Sequence, residues 1–321
     1  MIVLTGGAGF IGSCFLKTLN DKGITDVLVV DHLGNSDKWK NLTGKSFNYY
    51  VNKLEFRNLL KSGFYDGRIT AIFHFGACSS TTETDADYLL DNNYSYSIDL
   101  AEYAVRNNIR FIYASSAATY GDGSKGYSDS DFDSLTPLNG YGFSKHIFDL
   151  WTIRNGYDKL FTGLKFFNVF GPNEYSKGSM ASMVYKSYKQ IVETGKVRLF
   201  KSTTDLYPDG GQQRDFIYVK DACDMIWELF QNTSSAGIYN IGTGKARSWN
   251  DLANAVFLAL GIQPEIEYVL MPENLINQYQ NFTQADMGKM IGKGIAFQPR
   301  PLESSVNDYV RNYLSQNFLI Y

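Results

Sequence analysis

The chain has 321 residues, enough for one large domain or two of ordinary size. Its 30 Lys+Arg against 33 Asp+Glu leave a formal net charge of −3, neither the basic surplus of a nucleic-acid binder nor the acidic imbalance of a disordered tail. Beside 23 Tyr and 22 Phe stand only three His and three Cys, a poor supply for metal, thiol or imidazole catalysis.

In chain order, the short apolar runs Ile2–Thr5, Val27–Asp31, Ala71–Phe75, Phe111–Ser115 and Gly163–Phe167 read as buried parallel strands. Helix-like periodicity over Gly9–Lys22, Asp85–Asn107 and Tyr141–Asn155 alternates with them. This alternation predicts an α/β fold, a Rossmann-like doubly wound parallel sheet. After about Gly171 the alternation loosens, with a polar loop at Ser202–Gln213, helix-like segments at Val219–Gln231 and Trp249–Leu260 and a short strand at Ile238–Ile241. A nucleotide-binding domain over 1–170 and a smaller α/β substrate domain over 171–321 are expected, with returns to the first near 214–243 and 280–290. The two share a cleft without a flexible tether.

Cys14, Cys78 and Cys223 show no CxxC spacing or disulfide framework and read as reduced thiols of a cytoplasmic protein. His32, His74 and His146 lack the spacing of metal ligands, so no metal site is expected. The first residues hold no cationic stretch ahead of an apolar one, and about 18 consecutive apolar residues occur nowhere, so neither a signal peptide nor a membrane span is expected.

The first strand runs into Thr5-Gly6-Gly7-Ala8-Gly9-Phe10-Ile11-Gly12, a Gly-x-x-Gly-x-x-Gly loop at a strand-to-helix junction. Glycines at this place let backbone N–H groups approach a pyrophosphate at the positive end of the following helix. Asp31 ends the second strand, where a carboxylate reaches adenosine ribose hydroxyls and favours NAD. Lys38 and Lys53 downstream supply ammonium groups that offset repulsion of a 2′-phosphate, which leaves NAD and NADP open at this point. The fourth strand ends in Ala114-Ser115-Ser116-Ala117, and Tyr141-Gly142-Phe143-Ser144-Lys145 follows. One helical turn apart, Lys145 is placed to lower the Tyr141 phenol toward working pH, with Ser116 donating to a substrate oxygen.

These motifs resemble the extended short-chain dehydrogenase/reductase family, in which nucleotide-sugar epimerases and dehydratases dominate. Arg214-Asp215-Phe216-Ile217-Tyr218-Val219-x-Asp221 and Tyr239-Asn240-Ile241-Gly242 are similar to its later blocks. More narrowly, Gly76–Glu83, Ala114–Gly121, Asn168–Pro172, Lys177–Ser182 and Phe282–Asp286 together resemble the ADP-L-glycero-D-manno-heptose 6-epimerase family of lipopolysaccharide inner-core synthesis. Two departures stand out: the Thr203–Gln213 loop is longer than is usual there, and Phe75 stands where an acidic residue is common.

The resemblance implies NADP as cofactor, with Asp31, His32, Lys38, Lys53, Cys78, Ser79 and Asn92 as contacts beside the glycine-loop residues Gly6, Gly9, Phe10, Ile11 and Gly12. Phe75, Gly76, Ala77, Lys145, Val169 and Lys177 complete that set. It also implies a second proton-handling group at Lys177, since a ketone reduced on either face needs proton donors serving both orientations. For an ADP-heptose substrate, Lys186, Arg214 and Phe200-Lys201-Ser202-Thr203 suit a diphosphate and polar sugar, and Asn168, Ser179 and Tyr279 are contacts implied by resemblance. Read from the residues alone, Lys186 also suits a solvated helix face and Arg214 an ion pair with Asp215. The implied assembly is a homo-oligomer, a pentamer or decamer, with no nucleic-acid or membrane partner. Rival readings are a UDP-sugar 4-epimerase, another nucleotide-sugar reductase or dehydratase, and a non-catalytic NADP sensor.

Overall fold

The computed structural model describes residues 1–276, 279–295 and 297–321. Seven parallel strands form the central sheet: β1 (Ile2–Thr5), β2 (Val27–Asp31), β3 (Tyr49–Asn52), β4 (Ala71–His74), β5 (Arg110–Ser116), β6 (Thr162–Phe166) and, from late in the chain, Gly237–Ile241, which is β10 in chain order. Three short strands intervene: β7 (Asn168–Phe170), β8 (Val197–Phe200) and β9 (Gln213–Tyr218). The sheet order is β10-β6-β5-β4-β1-β2-β3. Leu4 of β1 lies in register with Val29 on one side and Phe73 on the other. The chain therefore winds outward in both directions from β1, and a crevice opens beyond the carboxyl ends of β1 and β4, where such sheets bind ligands.

The helices are α1 (Phe10–Asp21), α2 (Lys53–Lys61), α3 (Ala86–Leu90), α4 (Tyr96–Arg106), α5 (Gly140–Arg154), α6 (Met183–Thr194), α7 (Val219–Gln231) and α8 (Trp249–Leu260). Both sheet faces are covered, which is why the inner strands are apolar without alternation. Leu4, Val29 and Phe73 pack with Phe15 and Leu19 of α1 and with Met225 and Leu229 of α7. Val3, Leu28 and Ile72 pack with Phe56 of α2 and with Leu100 and Tyr103 of α4 on the opposite face.

The single helix expected over Asp85–Asn107 is instead interrupted. A π turn at Asp91–Ser95 separates α3 from α4. Asp85 caps α3 by accepting from the Tyr88 N–H at 2.9 Å. Within the π turn, fully buried Asn93 accepts from Cys78 N–H at 2.8 Å and donates to the Cys78 carbonyl and to Ser144 Oγ. An extra residue in one turn is a distortion frequent at functional sites.

Beyond the central sheet, β9 pairs parallel with β7 and antiparallel with β11 (Ala246–Ser248). β8 pairs parallel with β12 (Ile266–Val269). α8 starts with a capping box formed by Ser248 and Asp251. Among the described residues no helix is long and apolar enough to cross a membrane.

Candidate active site

Gly6, at the end of β1, has φ +69°, and a Cβ there would lie 2.6 Å from the Gly76 nitrogen. A Cβ on Gly12 would stand 2.1 Å from the Gly6 carbonyl oxygen. The loop thus lies flat against the chain leaving β4 and leads into α1, which has no acidic residue in its first turn and no side-chain cap at Gly9. The first-turn N–H groups face a cavity of about 520 Å³ lined by Gly6, Gly9, Phe10, Ile11 and Gly12. This cradle fits a dinucleotide pyrophosphate: close backbone approach, a positive helix end and no acidic side chain in the first helical turn. Gly12→Ala is expected to weaken dinucleotide binding about tenfold or more, the worth of one charge-assisted hydrogen bond, as read by a fluorescence titration.

At the end of β2 the Asp31 carboxylate is buried and fully engaged. One oxygen accepts from Ala8 N–H at 2.9 Å, the other from His32 N–H at 2.7 Å and from Lys38 Nζ at 2.6 Å. Asp31, His32, Lys38, Lys53, Gly76, Ala77 and Asn92 line a recess of about 120 Å³. Lys53 donates to Asn92 Oδ1, and burial lowers its pKa. Tyr88 and Tyr96, which the sequence reading did not single out, wall the same recess.

Ser116, Tyr141 and Lys145 converge on the main cavity, together with Phe75, Ser79, Asn168, Val169, Lys177, Ser179 and Lys186. The α5 start that presents Tyr141 is fixed by Asn139, whose side chain accepts from Gly142 N–H at 2.8 Å. Lys145 Nζ donates to the Ala114 carbonyl at 2.9 Å, a strand-end acceptor within reach of a buried ammonium. Burial raises the Tyr141 pKa, opposed by hydrogen bonding with Ser116. Burial also lowers Lys145, to about 8, against the attraction of Asp149.

Lys177 enters the cavity from the loop between β7 and α6, its Nζ 5.5 Å from the centre of the Phe10 ring. Burial lowers its pKa while Glu174 raises it. Glu174, which sequence reasoning passed over, closes this loop: its buried carboxylate accepts from Gly171 N–H, Ser182 N–H and Ser182 Oγ. Ser182 in turn caps α6. Phe75, set apart as a departure, packs in an aromatic cluster with Phe15, Phe73 and Phe166 and forms an apolar wall.

The proposed substrate contacts divide. Asn168, Ser179 and Lys186 line the main cavity, with Lys186 Nζ donating to the Ser179 carbonyl at 2.7 Å. Arg214, Phe200, Lys201, Ser202, Thr203 and Tyr279 are not among its lining residues. The Arg214–Asp215 ion pair does not form, since neighbours on β9 point to opposite faces. Asp215 accepts instead from Thr243, Gly244 and Ala285, whereas buried Arg214 sits 5.5 Å from the Trp249 ring and 5.0 Å from the Tyr279 ring. Trp249 Nε1 donates to Tyr279 Oη at 2.8 Å, and Phe200 meets the Tyr279 ring edge-on. Because Trp249 also lines the main cavity, this cluster adjoins it. Lys201 is exposed, and Ser202 is tied into its own loop through Asp209 and Thr204. Cys78 is not among the lining residues, although its neighbours Ala77 and Ser79 are; its backbone is held by Asn93.

A doubly wound sheet with a glycine cradle at the switch point and a Ser–Tyr–Lys group at the same crevice defines a nicotinamide-dinucleotide enzyme of the extended short-chain dehydrogenase/reductase class. The chain belongs to the NAD dependent epimerase/dehydratase family, whose model matches residues 2–242. An ADP-L-glycero-D-manno-heptose-6-epimerase of Nitratidesulfovibrio vulgaris is 51% identical to it over 317 residues, 98% of each chain. One from Fusobacterium nucleatum is 46% identical over 327 residues, again 98% of each. Among solved structures, the Helicobacter pylori ADP-L-glycero-D-manno-heptose-6-epimerase superposes with a TM-score of 0.82 at 30% identity, covering 97% of this chain and 95% of that one. A UDP-N-acetylglucosamine 4-epimerase from Methanobrevibacter ruminantium shares the fold, with a TM-score of 0.81 at 24% identity over 98% of each chain.

Proposed function

We propose that this protein inverts carbon 6 of ADP-D-glycero-D-manno-heptose to give ADP-L-glycero-D-manno-heptose, through a transient 6-ketone and with NADP as resident cofactor, in lipopolysaccharide inner-core synthesis. The observation that carries the reading is that Tyr141 and Lys177, from separate elements, line one cavity with Ser116 and the glycine cradle. The relatives named above, 51% and 46% identical along nearly their whole length, support the choice of substrate.

A carbon bearing only a hydroxyl has no adjacent carbonyl to acidify its C–H, so simple deprotonation is closed to it. Oxidation removes the difficulty, and a bound nicotinamide supplies the means by accepting hydride from carbon 6 and returning it. The protein must remove the hydroxyl proton, hold the ketone while it turns, and return a proton to its oxygen. Ser116 hydrogen-bonds that oxygen. Tyr141, whose phenol burial pushes above its ordinary range, exchanges a proton with that oxygen in one orientation. Lys177, whose ammonium burial pulls below its ordinary range, exchanges a proton in the other. Lys186, Asn168 and Ser179 hold the sugar diphosphate, and the Arg214–Trp249–Tyr279 cluster offers flat faces and a cation to the nucleotide end.

The choice of NADP rests on Asp31. Its carboxylate is occupied by two N–H groups and Lys38, and Lys53 adds a second ammonium to the same recess. Lys53→Met is expected to weaken NADP binding about tenfold or more and NAD binding little, since a charge-assisted phosphate contact is worth about 1.5–3 kcal/mol. Parallel calorimetric titrations with the two dinucleotides check this. The homo-oligomer, a pentamer or decamer by resemblance, is read by sedimentation equilibrium. The whole reading is tested by incubating the protein with ADP-heptose and with UDP-sugars and following products by NMR. Interconversion of the heptose epimers is expected; turnover of a UDP-sugar with the ADP-heptoses inert overturns it.

A further inference from the structure

Behind the reaction centre lies a second charged group that the chemistry above does not use. Tyr141, Lys145 and Asp149 succeed one another on α5 at intervals of four residues and share one helix face. Asp149 and Lys165 of β6 are both fully buried and ion-paired at 2.6 Å. The Asp149 carboxylate also accepts from Ser115 Oγ at 2.6 Å and Tyr113 Oη at 3.1 Å. Lys165 Nζ donates to Thr119 Oγ1 at 2.7 Å and lies 5.1 Å from the rings of Tyr120 and Phe132.

A dry pair of this kind stabilises a fold little better than apolar residues of the same volume, which directs attention to what it holds. Three successive residues at the end of β5 are gripped from α5. Ala114 receives Lys145, Ser115 is tied to Asp149, and Ser116 meets Tyr141. We propose that Asp149, held from behind by its ion pair with Lys165, is a positioning residue of the reaction centre: it fixes the strand end from which Ser116 projects and places a carboxylate one helical turn behind Lys145. The proposal rests on the reading of Tyr141 and Lys145 as parts of that centre.

The charged and titratable groups around this pair are few. Lys145 is faced by Asp149 and Tyr141 on its own helix, by Cys78 from the loop after β4 and by neutral His74 on β4. Asp149 is faced by Tyr141, Lys145 and His146 on α5, Tyr113 on β5, Lys165 on β6 and Tyr120 in the turn after β5, and Lys165 is faced in addition by Asp129. Only Asp149 brings a carboxylate to Lys145 from its own helix, so its removal lowers the proton affinity of Lys145.

The test is competitive amine labelling of Lys145 across pH in the full-length protein, read by mass spectrometry, which depends on neither substrate nor turnover. In the wild type the onset is expected near pH 8. Asp149→Asn moves it down by about one pH unit, and the alkaline limb of the activity profile moves with it. Lys165→Met leaves Asp149 with Ser115 and Tyr113 as donors and does not move the onset down. A merely structural pair would reduce activity in both variants and shift the onset in neither. Should Asp149→Asn fail to fold with Lys165 unpaired, the double variant Asp149→Asn/Lys165→Met removes the pair as a unit, and its onset is expected below the wild type by a smaller interval. An unmoved onset in the folded variant overturns the proposal. If the onset moves as stated while Tyr141→Phe keeps full activity, the functional reading fails and the coupling of Asp149 to Lys145 stands.

Discussion

Tyr141→Phe is expected to lower heptose epimerisation by about a thousandfold or more, the range of a lost general acid–base group, while NADP affinity stays within about twofold of wild type. The phenolic hydroxyl is the only part removed, and the ring remains to fill its place beside Ser116. Retention of cofactor follows because the glycine cradle, the Asp31–Lys38 pair and Lys53 lie elsewhere along the cleft. Steady-state rates together with a cofactor titration read both quantities. Unaltered turnover removes Tyr141 from the chemistry.

Lys177→Met separates the two halves of the reaction. Epimerisation is expected to fall by about a hundredfold or more, yet hydride exchange between the cofactor and one heptose epimer persists through Tyr141. Single-turnover absorbance of the reduced nicotinamide, followed with each epimer in turn, distinguishes these outcomes. The Glu174 carboxylate holds the loop through Gly171 and Ser182 and not through the Lys177 side chain, so the loop stays in place. A variant that epimerises at the wild-type rate excludes Lys177 as the second proton-handling group, and equal loss of exchange with both epimers assigns it to a shared step.

The parts of the fold that could be read from sequence were those with one dominant physical cause. β1, β2, β4, β5 and β6 are buried on both faces, so burial alone writes them as apolar runs. β3 escapes because it is an edge strand whose Tyr49 and Tyr50 are exposed. The π turn at Asp91–Ser95 escapes because its cause is distant: Asn93 is claimed by the Cys78 backbone and by Ser144, neither near it in sequence.

The site shows the same division. Gly6, Gly12, Ser116, Tyr141 and Lys145 were legible because a tight turn, a strand end and a helical spacing each leave a local mark. The direction of Lys145 was not, since it depends on the Ala114 carbonyl across the strand. Nor was the partner of Arg214, because adjacency to Asp215 along a strand places the two on opposite faces. Glu174 offered only one weak signal, a lone carboxylate three residues before a lysine in a loop, and its meaning lies in the loop ends it joins.

The central claim is that carbon 6 loses and regains hydrogen as hydride within one site. It is tested by turning over ADP-D-glycero-D-manno-heptose in heavy water with the purified protein and examining carbon 6 of the product by mass spectrometry and NMR. Product free of deuterium at carbon 6 is the predicted result, because the returning hydrogen never exchanges with solvent; deuterium at that carbon contradicts the hydride account.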